Sequence, residues 1–529
     1  MEALKVMQPQ KATALNPAFA KARIAFENLL GELASPEVRS WDHRALEVAI
    51  EAGGREVMRS LYQDSLDLRG PGAVDGPVEG ADGVIRTHVR PGTRPLVSIF
   101  GPVVAKRLGY GARGAGSLFP ADGELNLPLD KYSFGLRERL GEEAAKTSFE
   151  DAIDAVRKAT GVELPKRQAE ELVRQAATDF DSFYSGRAAT CPVDRSQTSG
   201  ILVMSADGKG IVMRTEDLRE ATRKAAEGRT NKLSKRLSRG EKRNAKRMTT
   251  VAAVYTIEPQ IRTTEDVIKE LRPVQAVEPK KRKPQPEQKR VWASVATEPE
   301  DVIREAFEEA IRRDPGRTKT WMAVVDGNKT QLMLFRKYAR EYGVNLTIVL
   351  DFIHVSEYLW KSATAFHKEG TPEAQAWVTS RLAHILDGHS SNVAAGIRRS
   401  ATLQKLSESQ RKAVDSCANY LLNNAEYLHY DAYLKAGLPI ASGVIEGACR
   451  HLVKDRMDVT GARWSLDGAE AVLRLRSLRS SGDLEEYWSY HAAKELERNH
   501  TARYADGVPP TRRPPPFESA SRARLQVVR

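Results

Sequence analysis

Three runs of apolar residues in the middle of the chain each end in an aspartate. Short apolar runs bounded by turn residues predict buried β-strands. The runs are residues 201–206 before Asp207, residues 321–325 before Asp326 and residues 346–350 before Asp351. Three strands that bring their carboxylates to one end of a sheet would form a site for a divalent metal ion.

The first run continues into Asp207-Gly208 and Lys209-Gly210, and a further apolar stretch covers residues 211–213. This pattern predicts a tight turn between two strands of a hairpin. An aspartate in an Asp-Gly turn often serves only the turn, so Asp207 alone is no evidence of chemistry. The recurrence of the pattern at Asp326-Gly327 favours a chemical role.

Amphipathic stretches separate the later strands. The spacing of apolar residues predicts a strand over 250–257, helices over 299–314 and 331–342, and strands over 318–325 and 346–350. The resulting order is strand–strand–strand–helix–strand–helix–strand, which predicts an α/β fold with a mixed five-stranded sheet flanked by helices. Residues 356–435 have helical periodicity throughout and are predicted to form an all-helical insertion.

The chain before this region is predicted to be mainly helical. Helices are expected over 18–33, 42–66 and 134–145, and residues 96–108 are typical of a hairpin interrupted at Gly101-Pro102. Residues 148–182 contain two short helices around a glycine turn, with Ser148 as N-cap and Pro165 opening the second helix.

Two helices joined in this way resemble a helix-turn-helix, whose second helix enters the major groove of DNA by its N-terminal residues. Those residues are Lys166, Arg167 and Gln168, whose side chains suit phosphates and base edges. Short helix pairs are common, and plain packing explains the same pattern.

Composition narrows the classes of protein. A chain of 529 residues with a net charge of +12 is expected to have several domains and a polyanionic partner. The cysteines, Cys191, Cys417 and Cys449, are too few and too far apart for a disulfide framework or a cysteine zinc site. No run of about 20 apolar residues and no N-terminal signal region is present, so a cytoplasmic location is expected.

Positive charge is concentrated between residues 229 and 247, where Glu241 is the one acid. Such a run is usually a solvated face or a disordered arm, but beside a carboxylate cluster it would bind the phosphates of a nucleic acid. The candidate DNA-binding residues are Lys232, Lys235, Arg236, Arg239, Lys242, Arg243, Lys246 and Arg247.

A fourth carboxylate stands at the start of a predicted helix. Ser442 is a good N-cap, and Glu446 falls in the first turn, where the helix dipole favours an ionised side chain. Arg450 and Lys454 follow on the same helix face, so that a surface salt bridge is the simpler interpretation of Glu446.

Together these motifs resemble the DDE transposases of bacterial insertion sequences, most closely the ISKra group (ISKra-four family). The resemblance covers about residues 95–491. The stretches that carry it are residues 202–214, 324–328, 349–360, 443–450, 453–457, 460–464 and 468–476. It implies an RNase H-like catalytic core, with Asp207 as first and Glu446 as third catalytic carboxylate.

The second carboxylate is open between Asp326 and Asp351. In the implied fold it follows the fourth strand, which the topology counts as residues 318–325, so Asp326 is favoured. Asp351 with His354 resembles a short element that related transposases carry downstream. His354 could be a metal ligand, or a packing group on the first turn of a helix.

The resemblance implies binding of insertion-sequence ends, nicking, and joining of the 3′-hydroxyl to target DNA with two Mg²⁺ or Mn²⁺ ions bound by Asp207, Asp326 and Glu446. The partners would be double-stranded DNA, as terminal inverted repeats and as target, and further copies of the chain in a dimer or higher assembly. An RNase H-like nuclease or resolvase without strand transfer, and a non-catalytic DNA-binding derivative, are the alternatives. Arg450, Lys454 and Arg463 would hold the DNA backbone, and Trp464 would stack on a flipped base or pack in the core.

These patterns predict six segments. They are an N-terminal helical region and linker (1–95), a DNA-binding region (96–195), the first part of the catalytic core (196–355), the helical insertion (356–435), the C-terminal helices of the core (436–495) and a basic, proline-rich, disordered tail (496–529).

Overall fold

The computed structural model describes residues 17–190, 200–229, 245–271, 283–459 and 461–511. The chain divides into two compact units. The first comprises residues 1–179 and 485–529, and the second comprises residues 180–484. Among the described residues, no helix is both long enough and apolar enough to cross a bilayer.

The first half of the chain contains the following elements. They are α1 (Ala20–Leu33), α2 (His43–Arg69), β1 (Val78–Glu79), β2 (Ile85–Arg86), β3 (His88–Ser98), β4 (Gly101–Ala112), β5 (Ala115–Leu118), α3 (Pro120–Glu124), α4 (Phe134–Lys146), α5 (Phe149–Thr160), α6 (Lys166–Ala176), α7 (Phe180–Thr190), β6 (Ile201–Val212), α8 (Glu220–Glu227), β7 (Lys246–Ile257) and α9 (Thr264–Leu271).

The elements of the second half follow in the same way. They are β8 (Glu287–Ser294), α10 (Pro299–Arg313), β9 (Thr320–Val325), α11 (Lys329–Glu341), β10 (Leu346–Leu350), α12 (Phe352–Ala363), α13 (Pro372–Leu386), α14 (Ser390–Leu403), α15 (Glu408–Asn423), α16 (Tyr430–Lys435), α17 (Gly443–Ala448), a π-helical segment (Cys449–Lys454), α18 (Asp455–Met457), α19 (Leu466–Ser481) and α20 (Leu484–Asn499).

The first unit combines helices with a small antiparallel sheet. Strands β3 and β4 form the predicted hairpin, with Ser98 paired to Gly101, and β5 adds a third strand. The helices predicted in this region are confirmed, and Ser148 caps α5 by accepting a hydrogen bond from the amide of Asp151. Gly161 ends α5 in the left-handed conformation that glycine favours, at a φ of 73°.

The second unit is built on a mixed five-stranded sheet with the strand order β10-β9-β6-β7-β8. Strands β6, β9 and β10 are mutually parallel, whereas β7 and β8 are antiparallel to their neighbours. Apolar side chains of β6, β7 and β9 form its core, because these strands are buried almost throughout. The mixed α/β fold with five strands, predicted from the spacing of apolar residues, is confirmed.

The hairpin predicted at Asp207-Gly208 is wrong. Strand β6 continues through both residues, with Asp207 paired to Val251 and Gly208 paired to Thr250 on β7. The third strand of the sheet is therefore β8, which the sequence analysis did not predict. The predicted order of strands and helices holds from α10 onwards and β9 is the fourth strand, but α8 and α9, which separate the first three strands, were not predicted.

Helices cover the sheet and follow it in the chain. Helix α10 packs on β6 and β7, and α19 packs on β8. The carboxylate of Glu470 on α19 fixes the latter contact by accepting hydrogen bonds from the Ser294 hydroxyl and the Val295 amide, each at 2.9 Å. Residues 356–435 contain only helices, as predicted.

Candidate metal centre

The strand register aligns three aspartates at one edge of the sheet. Ser205 of β6 is paired with Val324 of β9, and Val325 of β9 is paired with Leu350 of β10. Asp207, Asp326 and Asp351 therefore occupy equivalent positions across three adjacent parallel strands, directly after β9 and β10 and within β6. The carboxyl end of parallel strands is where α/β proteins bind their ligands.

Asp207 lies where β6 extends beyond the last residue that is paired with β9. Its side chain is half-buried. One carboxylate oxygen accepts a hydrogen bond from the Gly208 amide at 2.5 Å, and the other accepts one from the thiol of Cys449 at 3.1 Å. These two contacts fix the orientation of the carboxylate.

Asp326 follows β9 directly and begins the loop to α11. Its Oδ1 accepts a hydrogen bond from the Asn328 amide at 2.8 Å, and its carbonyl oxygen accepts one from the Tyr420 hydroxyl at 2.9 Å. Gly327 has a φ of 88°, and a Cβ there would lie 3.1 Å from Leu350. Glycine is therefore required for the loop to pass this close to β10.

Burial raises the pKa of Asp326, and the negative charge of Asp207 raises it further, while the Asn328 amide and His354 act in the opposite direction. Two carboxylates that disfavour each other's ionisation are held close together by the sheet. A bound cation would remove this repulsion.

Asp351 has a different environment from Asp326. It is buried, with 6% of its surface exposed. Its Oδ1 accepts a hydrogen bond from the Ile353 amide at 2.8 Å as the N-cap of α12, and its Oδ2 accepts one from the Ser442 amide at 3.1 Å. Both oxygens thus fix the backbone ahead of α12 and α17, which supports Asp326 rather than Asp351 as the second metal-binding carboxylate.

Glu446 is in the first turn of α17. The Ser442 hydroxyl caps this helix by accepting a hydrogen bond from the Ile445 amide, and it also lies 3.1 Å from the hydroxyl of Ser205 on β6. Glu446 is exposed and acts electrostatically on the thiol of Cys449, which in turn contacts Asp207. Among the described residues, the ligand atoms of Asp207, Asp326 and Glu446 do not form a group within 4.8 Å of one another, so the structure does not bring these three carboxylates to ligand distance of a single ion.

The thiol of Cys449 is affected by the charges of both Asp207 and Glu446. Burial raises its pKa, and the negative charges of Asp207 and Glu446 add to this effect. The thiol therefore stays protonated and donates to Asp207. Cys449 also begins the π-helical segment, a departure from α-helical geometry that is frequent at functional sites.

The donor set fits a hard divalent cation. Asp207, Asp326 and Glu446 offer carboxylate oxygens, which suit Mg²⁺ or Mn²⁺ better than Zn²⁺. His354 is in the first turn of α12, and its Nδ1 is buried without a hydrogen-bond partner among the described residues. Its effect on Asp326 places it close to this group, as a possible further donor or as a neighbouring positive charge.

The predicted basic residues divide into three sets. Lys232, Lys235, Arg236, Arg239, Lys242 and Arg243 lie outside the described residues. Lys246 is exposed and 3.5 Å from Asp458. Arg247 instead donates to the carbonyl oxygens of Val295 at 2.9 Å and Asp217 at 3.3 Å, so its guanidinium group holds the protein's own backbone.

The candidate DNA-binding residues after Glu446 differ in their exposure. Arg450, Lys454 and Arg463 are exposed and can reach a ligand. Trp464 is 7% exposed, and its indole nitrogen donates to the Met457 carbonyl at 3.1 Å. Base stacking by Trp464 is therefore contradicted in this conformation, because both its ring and its polar atom are used in the core.

The helix pair predicted at 148–182 is present as α5 and α6. Lys166 is exposed but forms an ion pair with Glu150 of α5, Arg167 is exposed, and Gln168 is half-buried. The apolar face of α6 is buried through Ala169 and Leu172. DNA recognition by these residues stays a prediction.

Three residues beside the candidate metal centre were missed in the sequence. Cys449 and Tyr420 contact Asp207 and Asp326, and Lys209 on β6 acts electrostatically on the Cys449 thiol. Cys449 is three residues from Glu446 on a predicted helix, and Lys209 is two residues from Asp207 on a strand. Such spacings place two residues on the same face, so both neighbours could have been found in the sequence. Nothing local in the sequence points to Tyr420, which comes from the helical insertion.

A second group of potential metal ligands lies in the first unit. Ligand atoms of Asp179, His491 and Glu495 lie within 4.8 Å of one another. Arg498 forms ion pairs with Asp179 at 3.0 Å and with Glu495 at 2.6 Å, and Arg137 lies 3.7 Å from Glu495. Two guanidinium groups already neutralise these carboxylates, so we interpret the group as a structural ion-pair network.

Comparisons with known proteins do not identify a family for this chain. No family model matches the chain, and no curated protein matches it either. Among solved structures, the chain is similar to the Drosophila P element transposase strand transfer complex, with 9% sequence identity over 74% of this chain and 86% of that chain. The TM-score is 0.23, a likeness too distant to support any argument about fold or function. Membership of a bacterial insertion-sequence family thus stays a prediction.

Proposed function

We propose that this chain is a DNA transposase that cuts the ends of a mobile element and joins them to target DNA by metal-dependent phosphoryl transfer. The observation that carries the proposal is the alignment of Asp207 and Asp326 on adjacent parallel strands, with the helix of Glu446 docked beside them through Cys449. The sequence motifs around these residues and the net charge of +12 support DNA as the substrate.

Asp207, Asp326 and Glu446 would hold the metal ions. Bound there, two divalent cations would activate a water or a DNA 3′-hydroxyl and stabilise the oxygen that leaves phosphorus. The protein's own groups would orient these carboxylates. The Cys449 thiol and the Gly208 amide orient Asp207, and the Asn328 amide orients Asp326.

Asp351 and Ser442 would position the third carboxylate. Asp351 accepts the Ser442 amide, and the Ser442 hydroxyl contacts Ser205, so the start of α17 is fastened both to the end of β10 and to β6. Exposed Arg450, Lys454 and Arg463 would bind phosphates beside the carboxylates, with an affinity that falls steeply with salt.

The test uses the purified full chain, a pre-cleaved DNA end and a supercoiled plasmid. Joined products that need Mg²⁺ or Mn²⁺ and disappear with EDTA support the transposase. Cleavage of an uncut end without joining would instead identify a nuclease, and binding without either reaction would identify a DNA-binding derivative.

A further inference from the structure

A cleft of about 700 Å³ lies in the second unit beside the candidate metal centre. It is bounded by α11 on one side and by α15 of the helical insertion on the other. Gly327, which directly follows Asp326, is part of its lining, and so is Tyr420, whose hydroxyl donates to the Asp326 carbonyl. The cleft therefore begins at the second carboxylate.

The α11 wall is positively charged. Lys329, Met333, Arg336 and Arg340 line it, at successive spacings of four, three and four residues, which places them on one helix face. At 1.5 Å per residue the stripe extends about 16 Å from the Asp326 loop along α11. All four side chains are exposed, so the stripe offers a series of cations to a chain of phosphates.

The α15 wall carries neutral polar groups. Ser416, Asn419 and Asn423 line it at spacings of three and four residues, again on one helix face. An asparagine amide has both donors and an acceptor and can pair with the edge of a nucleobase. One amide, that of Asn419, already accepts a hydrogen bond from Arg398 at 2.6 Å, which fixes its orientation.

Aromatic rings complete the lining. Tyr358 and Tyr420 stack on each other with centroids 3.9 Å apart and planes at 12°. The Arg336 guanidinium lies 5.1 Å from the Tyr427 ring and pairs with Glu426, an acidic lining residue in the short helix that follows α15. A phosphate that binds Arg336 would replace this carboxylate, so the arginine is already oriented for an anion.

Positive charge on one wall with amides and aromatic rings on the other is the arrangement by which proteins bind single-stranded nucleic acid. The cleft volume is within the range of about 300–1,000 Å³ of small-ligand pockets. This volume suits a few unpaired nucleotides.

We propose that this cleft binds a short unpaired stretch of DNA next to the strand that is cut, with its phosphates on α11 and its bases facing α15. The proposal rests on the proposed function, because the cleft is assigned to the substrate of the adjacent carboxylates. It adds that the DNA end is locally unpaired when bound.

The test measures binding of a fluorescent eight-nucleotide single strand to the full chain by anisotropy, in EDTA, over a range of salt concentrations. The triple variant Lys329→Ala, Arg336→Ala, Arg340→Ala is expected to bind at least tenfold more weakly. Its salt slope should fall by about two, since each phosphate contact with a single strand contributes about 0.7.

A matched control removes three charges elsewhere in the same unit, by Lys337→Ala, Arg304→Ala and Lys435→Ala, each exposed and paired with a surface carboxylate. Lys337 is on α11 itself but does not line the cleft. The control should bind within threefold of the parent chain, and both variants should keep its melting temperature. Equal weakening by the two variants would overturn the proposal, as would equally tight binding of an eight-base-pair duplex.

The two proposals can fail separately. Binding is measured without metal, so it does not depend on catalysis. If the cleft variant loses single-strand binding while the parent joins no DNA, the cleft is confirmed and the transposase function is wrong. If the parent joins DNA and the cleft variant binds the single strand normally, the transposase function is confirmed and the cleft proposal is wrong.

Discussion

The two units each contain a group of carboxylates, and the two groups differ in what neutralises them. In the first unit Asp179 and Glu495 are paired with Arg498, and Nδ1 of His491 donates a hydrogen bond to the carboxylate of Asp179 at 2.7 Å. Despite burial, which acts in the opposite direction, hydrogen bonds from His491 and Arg498 lower the pKa of Asp179 to about 2. This group is complete without a ligand.

In the second unit, Asp207 and Asp326 have a thiol and backbone amides as hydrogen-bond donors, and the pKa of Asp326 is raised by burial and by Asp207. Orientation is thus provided without neutralisation. Under the proposed function, the counter-charges around potential ligands, rather than the closeness of the ligands, separate a metal site from an ion-pair network. The predictions below test this difference.

The largest effect is expected for the three proposed metal ligands. Asp207→Asn, Asp326→Asn and Glu446→Gln should each lower strand joining at least 1,000-fold, which corresponds to about 4 kcal/mol of transition-state stabilisation. Binding of duplex DNA ends should persist in a gel-shift assay. Glu220→Gln, which removes an exposed carboxylate on α8, is the control and should join DNA normally. An active Asp326→Asn together with an inactive Asp351→Asn would reverse the assignment of the second carboxylate.

The ion-pair group of the first unit should matter for stability instead. Asp179→Asn removes the ionised acceptor of the buried His491 and one of the two ion pairs of the exposed Arg498, and we expect the free energy of unfolding to fall by about 1–3 kcal/mol. Urea unfolding measures this, with Asp181→Asn as control because Asp181 is exposed and two residues away. Calorimetry with Mn²⁺ should give the same site affinity for Asp179→Asn as for the parent. A lost site there would show that the ion-pair group binds metal after all.

Asp351→Asn should lower both the stability of the chain and its metal affinity, each by a moderate amount. An asparagine keeps the shape but presents an NH₂ group to one of the two amides that Asp351 now accepts, at a cost of about 1–3 kcal/mol in unfolding free energy. Metal affinity should drop by no more than about tenfold, since Asp351 acts on the position of α17. Loss of all Mn²⁺ binding with unchanged stability would identify Asp351 as a ligand.

The smallest effect concerns stability without metal. Because the folded-state pKa of Asp326 is raised, the folded chain binds more protons than the unfolded chain between the usual aspartate pKa and the raised value, so stability falls as pH rises through that window. Above the raised pKa the full loss is present, and at such a pH Asp326→Asn should raise the melting temperature of the metal-free protein. Mn²⁺ should then stabilise the parent but not the variant. A lower melting temperature for metal-free Asp326→Asn would contradict the proposed repulsion.

Local patterns were sufficient for the strands that carry Asp326 and Asp351, because each apolar run is bounded by breaking residues on both sides. They failed at Asp207-Gly208, where turn residues stand inside a 12-residue strand. The continuous pairing of β6 with β7 overrides the turn preference, and the partner residues 246–257 are far away in sequence. A stabilising partner of this kind cannot be read from a local window.

The sequence was sufficient to predict which carboxylates belong to the candidate site, but it did not predict their burial or their hydrogen-bond partners. The sequence left Asp326 and Asp351 open because both end an apolar run. Only the fold shows that Asp351 is enclosed by the amides of Ile353 and Ser442. Its partner Ser442 is separated from it by the whole helical insertion, so no spacing rule links the two residues.

The length of β6 also sets a distance along any DNA bound as proposed. From Asp207 to the strand end at Val212 is five residues, or about 17 Å at the antiparallel rise per residue. Val212 is paired with Lys246 of β7, an exposed cation, so Lys246 is at this distance along the strand from Asp207. A helical turn of DNA measures about 34 Å. Under the proposed function, a phosphate that contacts Lys246 would therefore lie about half a helical turn from the phosphate at the carboxylates.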